Sequence, residues 1–144
     1  MKPMHAKVFV DSNIWLYSLI QVEGPATDVR HSLAIEFLAR LVRPAISSQV
    51  IREVCRNLIK KSATPEFTIQ RLIGGWYQDC EIVSANRDQY LLASKLRSNN
   101  AFSYWDSLIV AVALDAGCST LYSEDMQHGQ RIEGQLTIVN PFKD

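Results

Sequence analysis

Short apolar runs alternate with amphipathic stretches along the whole chain. Residues 6–10 (AKVFV) form a β-rich run that ends at Asp11-Ser12-Asn13. Polar residues of this type cap helices, so IWLYSLI is expected to form a short helix behind the strand. A loop with Gly24 and Pro25 follows. Asp28 is placed to cap a helix over about 28–42, where Leu33, Phe37, Leu38 and Leu41 recur at helical spacing. Residues 44–47 read as a short strand, with Ser47 or Ser48 as the next cap. Over 49–61, Ile51, Val54, Cys55, Leu58 and Ile59 trace the stripe of an amphipathic helix. Arg52, Arg56 and Lys60 form a basic stripe beside it, and Glu53 and Asn57 lie on its far flank.

Pro65 is expected at the first position of a helix to about 78, bent or interrupted at Gly74-Gly75. Glu81–Val83 reads as a strand and 87–98 as a helix. The run YWDSLIVAVALDA (104–116) is almost wholly apolar after Asp106, so it is expected to be a buried helix ended by Gly117. Residues 119–123 (STLYS) and Leu136–Val139 complete the strands, the last of them at an edge. Strands alternating with helices predict an α/β domain: a three-layer sandwich around a mainly parallel sheet of about five short strands. One domain over 1–144 accommodates this pattern.

The composition changes the picture little. The 144 residues are 47% hydrophobic and 21% charged, as expected of a globular chain, and 15 basic residues balance 15 acidic ones. That balance hides an asymmetry: residues 40–71 carry seven basic and two acidic residues, whereas 101–144 carry two basic and six acidic. Such a split is a reason to ask about nucleic acid or divalent cations. Cys55, Cys80 and Cys118 are odd in number and contain no CxxC, which excludes a disulfide framework and suits a cytoplasmic setting. No signal-like or membrane-spanning apolar run is present. His5, His31 and His128 lack zinc-ligand spacing, and His128 reads as a surface residue. Trp15, Trp76 and Trp105 read as core and interface residues rather than base-stacking platforms. Phosphate-binding glycine loops and a GxSxG elbow are absent.

Four acidic residues stand out by position. Asp11 directly follows the first strand, and Asp125 lies two residues after STLYS. Both are therefore where an open α/β sheet binds ligands. Asp106 opens the buried helix, and Glu53 has no Lys or Arg at i+4 to pair with. Each also has an ordinary structural account: Asp11 as an N-cap, Asp106 in a capping-box spacing with Ser103, Glu53 as a solvated residue, Asp125 as a turn residue. Their joint placement at one end of the sheet favours a common site. Gathered carboxylates repel unless a cation is present, and oxygen donors suit Mg²⁺ or Mn²⁺.

The motifs VFVDSNI, YWDSLIVAVA and YSEDMQHG, with Glu53 between the first two, together resemble the PIN domain. More narrowly, they resemble the VapC-like toxin ribonucleases of bacterial toxin–antitoxin pairs. The four carboxylates are 42, 53 and 19 residues apart. The resemblance implies an α/β/α sandwich, a Mg²⁺- or Mn²⁺-dependent endoribonuclease, a homodimer and a small inhibitory antitoxin. It assigns Asp11, Glu53, Asp106 and Asp125 to a catalytic, metal-binding pocket. Asn13 would orient Asp11, and Ser123 would occupy a position where many members have Thr. Arg52, Arg56 and Lys60 would contact RNA phosphates. Two alternatives accompany this reading: an inactive PIN-like RNA- or protein-binding module, and a Mg²⁺-dependent phosphatase of another α/β family. For the latter, Asp11-Ser12-Asn13 is similar to the D-x-D opening of haloacid-dehalogenase-like enzymes, with Asn in place of the second Asp.

Overall fold

A computed structural model describes residues 6–20 and 25–143, with backbone only at 25–28. His5, Gly24 and the side chain of Asp28 lie outside the described residues. The elements run β1 (Val8–Val10), α1 (Ser12–Leu19), α2 (Pro25–Ala39), β2 (Ala45–Ser47), α3 (Ser48–Ser62), α4 (Glu66–Asp79), β3 (Glu81–Val83), α5 (Arg87–Asn99), α6 (Tyr104–Asp115), β4 (Thr120–Tyr122), β5 (Arg131–Ile132) and β6 (Leu136–Val139). The expected α/β architecture is present, with a sixth strand that the hydrophobic pattern did not reveal.

The sheet has the order β3-β2-β1-β4-β6-β5. Every pairing is parallel except β5 with β6. The final apolar strand β6 therefore lies inside the sheet beside β4, and the two-residue β5 forms the edge. Successive residues of β1 face opposite ways, as a strand requires. Phe9 joins the larger core with residues of α3, α4, α5 and α6, whereas Val10 packs with Ile14 and Ala34 of α1 and α2.

Local chemistry explains most element boundaries. Asp11, Ser47 and Ser103 cap α1, α3 and α6 through side-chain oxygens that accept backbone N–H groups. Helix α2 begins at Pro25, three residues before the expected start. Pro65 is the N-cap of α4 rather than its first helical residue. Gly74 and Gly75 do not interrupt α4, which runs through both. Gly117 does end α6, and its φ of +81° is the left-handed conformation a glycine supplies most readily. Its N–H donates to Leu114 O and that of Cys118 to Ala113 O, both at 3.0 Å. This paired closure satisfies two carbonyls at the helix end.

Candidate active site

The strand order reverses at β1. Its chain successor β2 lies on one side and β4 on the other, so the carboxyl ends of β1 and β4 border a topological switch point. Asp11 leaves β1 there, and its backbone N–H donates to Tyr122 O of β4 at 2.9 Å. The Asp11 side chain is 6% exposed. One carboxylate oxygen accepts Ser12 N–H at 2.7 Å and the other accepts the buried Ser123 hydroxyl at 2.8 Å. Two short donors from opposite sides thus aim the carboxylate.

Glu53 projects from α3 toward the same place. Its two oxygens accept the Ser12 hydroxyl and the Gln49 amide, each at 2.9 Å. Ser12 therefore joins Asp11 to Glu53, using its backbone N–H for one and its hydroxyl for the other. Asp106 sits half-buried in the first turn of α6, and its backbone N–H donates to Ser103 Oγ at 3.1 Å. Ser103 touches Asp106 twice, accepting its backbone N–H and hydrogen-bonding its carboxylate. Asp125 is exposed on the bend after β4.

The carboxylates feel one another. Burial pushes the Asp11 carboxyl up from 3.8 to about 6, and the charges of Glu53 and Asp106 add to the rise against the lowering effect of its two hydrogen bonds. Burial also raises Asp106, and Asp125 and Glu53 push it in the same direction while the Ser103 contact opposes them. The two raised groups, Asp11 and Asp106, are thus the ones that feel the neighbouring negative charges.

Arg52, Arg56 and Trp105 line a cleft of about 510 Å³ with Gln49 and Glu53. Lys60 does not line it; seven residues beyond Glu53, it lies about 10 Å farther along the helix axis. Asn13 does not hydrogen-bond to Asp11. Its amide oxygen instead accepts Glu124 N–H at 3.4 Å, and the orientation of Asp11 falls to Ser12 and Ser123. Glu124 turns away from the other carboxylates: it accepts the Tyr17 hydroxyl at 2.6 Å and pairs with Arg30 at 2.8 Å. It braces α1 and α2 against the loop after β4. Trp15 and Trp76 pack edge to face in the interior, as expected of core aromatics. Trp105 lies outside the core, being 61% exposed. His128 is exposed, as expected.

Ser12 and Gln49 were not singled out by the sequence pattern. The only signal for either was proximity: Ser12 follows Asp11, and Gln49 stands one helical turn before Glu53.

The donors available here are oxygens, the ligand type of a hard divalent cation. Among the described residues, no three His, Cys, Asp or Glu side chains form a ready-made metal cage. Mg²⁺ keeps several waters and takes one or two carboxylates directly, so the Asp11 and Asp106 carboxylates are donors of the right type. Ser123→Ala should remove one of the two contacts that hold Asp11 and leave a buried oxygen unpaired. The expected cost is about 1–3 kcal/mol in denaturant unfolding, with the Asp11 carboxyl driven higher still.

The PIN domain family model matches residues 8–131, and the chain belongs to the PIN-domain family. Among solved structures, a toxin–antitoxin complex from Klebsiella pneumoniae aligns with a TM-score of 0.69 at 20% identity, covering 96% of this chain and 100% of that one. The sarcin–ricin-loop-cleaving toxin VapC20 of Mycobacterium tuberculosis aligns at 0.64 and 20% identity, over 83% and 90%. VapBC2 of Rickettsia felis, bound to a DNA fragment from its promoter, aligns at 0.62 and 20% identity, over 92% and 98%. At these identities the likeness is one of fold. No curated protein matches the sequence significantly.

Proposed function

We propose that the protein is a Mg²⁺- or Mn²⁺-dependent endoribonuclease and the toxin of a toxin–antitoxin pair. The observation that carries this reading is the placement of Asp11 at the sheet's switch point, within reach of the charges of Glu53 and Asp106, beside an arginine-lined cleft that also holds Glu53. Asp11 and Asp106 would be the main metal ligands, with Glu53 and Asp125 completing the pocket. When bound, the cation would acidify a water and polarise the scissile phosphate. The chain's own residues do the positioning. Ser12 and Ser123 fix Asp11, Ser12 and Gln49 fix Glu53, and a carboxylate not engaged by the cation is available to accept a proton.

Arg52 and Arg56 would hold the RNA backbone through its phosphates, with Lys60 extending the same helix face. Arg52→Ala and Arg56→Ala are each expected to weaken RNA binding about equally for all sequences. Each should also lower the salt dependence of binding by about 0.7 in log–log slope. Fluorescence anisotropy across a salt series measures both effects.

The toxin role draws on the likeness to the Klebsiella pneumoniae, Mycobacterium tuberculosis and Rickettsia felis proteins. It brings with it a small antitoxin partner, a homodimeric toxin and a cytoplasmic site of action. No helix among the described residues is long and apolar enough to cross a membrane. The test is incubation of the purified protein with RNA and Mg²⁺ or Mn²⁺, where cleavage is expected, and with EDTA, where it should stop. Expression without an antitoxin should slow growth. An unaffected culture containing soluble, active protein would refute the toxin role and leave the nuclease chemistry standing.

A further inference from the structure

The most exposed tryptophan of the chain stands next to the acidic pocket. Trp105 precedes Asp106 in the first turn of α6 and lines the cleft that also holds Arg52, Glu53 and Arg56. It is 61% exposed, and the neighbouring Tyr104 is 49% exposed. Their surroundings hold both rings in place. Tyr104 meets Trp105 edge to face, with centroids 5.1 Å apart, and the Arg97 guanidinium lies 4.9 Å above the Tyr104 ring. Arg97 is itself anchored by donating to Ser107 Oγ at 2.7 Å. The Trp105 carbonyl accepts from the Gln49 amide, which also holds Glu53. A large, neutral π-surface is thus left in solvent on a cleft that it shares with Arg52, Arg56 and Glu53.

We infer that Trp105 is the stacking platform for an unpaired nucleobase of the RNA whose phosphates meet Arg52 and Arg56. This inference rests on the ribonuclease reading and assigns to one side chain the holding of a base. The chemistry is complementary. The pocket carboxylates repel a phosphate chain, so binding must come from cations and from uncharged surface. Every base has a π-face, so stacking holds the strand without reading its sequence. A base inside a duplex has both faces covered, whereas a splayed base offers one to an aromatic ring.

The test uses the Asp11→Asn protein as a non-cleaving binder with Mg²⁺ present. The probes are a short oligouridylate and an abasic ribose-phosphate oligomer of equal length. Adding Trp105→Ala should weaken oligouridylate binding about tenfold and leave abasic binding unchanged. Trp105→Phe should retain most of the affinity. In the cleavage-competent protein, Trp105→Ala should raise KM about tenfold with little change in kcat. Equal losses for both probes, or no loss for either, would overturn the inference. So would conversion of a dimer to a monomer by Trp105→Ala in light scattering, which would place the ring in a subunit contact. If the parent cuts no RNA with either metal, the ribonuclease reading fails. If the parent cuts and Trp105→Ala cuts with unchanged KM, only the stacking role fails.

Discussion

Asp11→Asn is expected to melt several degrees higher than the parent at pH 8 while losing RNA cleavage. Burial holds the Asp11 carboxyl at about 6 instead of 3.8. In the folded protein it binds a proton more tightly than in the unfolded chain. Its contribution to stability is therefore full below about pH 4 and is lost as the pH rises through about 6. At pH 8 the ionised group costs up to about 3 kcal/mol relative to a neutral one. Asn is neutral and nearly isosteric. Its oxygen can still accept Ser12 N–H, and its amide can donate to Ser123 Oγ. The gain should correspond to roughly 5–10 °C in melting temperature and should vanish by pH 4. Thermal unfolding of parent and variant across pH 4–8 measures it. Saturating Mn²⁺ should raise the melting temperature of the parent and have little effect on Asp11→Asn, because only the parent retains the full ligand set.

Asp106→Asn is expected to separate chemistry from folding. The Ser103 cap that starts α6 uses the backbone N–H of residue 106, which the substitution leaves in place. The apolar body of the helix, Leu108–Leu114, stays buried in the core. Stability should change by no more than about 0.5 kcal/mol. Cleavage should fall at least about a hundredfold, because a carboxylate facing Glu53 and Asp125 is lost from the pocket. The decrease should appear in kcat with KM little changed, since Arg52 and Arg56 still hold the RNA.

Much of this arrangement was legible in the sequence because local physics determines it. The apolar stripe of α3, the Ser47 and Ser103 caps and the Gly117 stop each depend on a few neighbouring residues. Asp11 and Asp125 could be assigned to the ligand-binding end of the sheet because they follow strands. What escaped notice depends on an element too short to carry a pattern or on contacts distant in sequence. Strand β5 has two residues and exists through its pairing with β6, so no periodicity announces it. The strand β6 looked like an edge because β5 was invisible. The family resemblance implied that Asn13 supports Asp11, yet its hydrogen-bond partner is Glu124, 111 residues away. Trp105 precedes Asp106, at the head of a helix whose apolar run begins only after it. Its position on the first turn, beyond the core that covers Leu108–Leu114, cannot be read from hydrophobicity.

The central claim is that these carboxylates act together, with a divalent cation, to hydrolyse RNA. Its most direct test is a single time course of RNA cleavage by the parent protein, Asp11→Asn and Asp106→Asn, each with Mn²⁺ and with EDTA. The parent should cleave RNA with Mn²⁺ and not with EDTA, and both variants should cleave at least about a hundredfold more slowly. Parent activity that persists in EDTA, or variants that cut as fast as the parent, would contradict it.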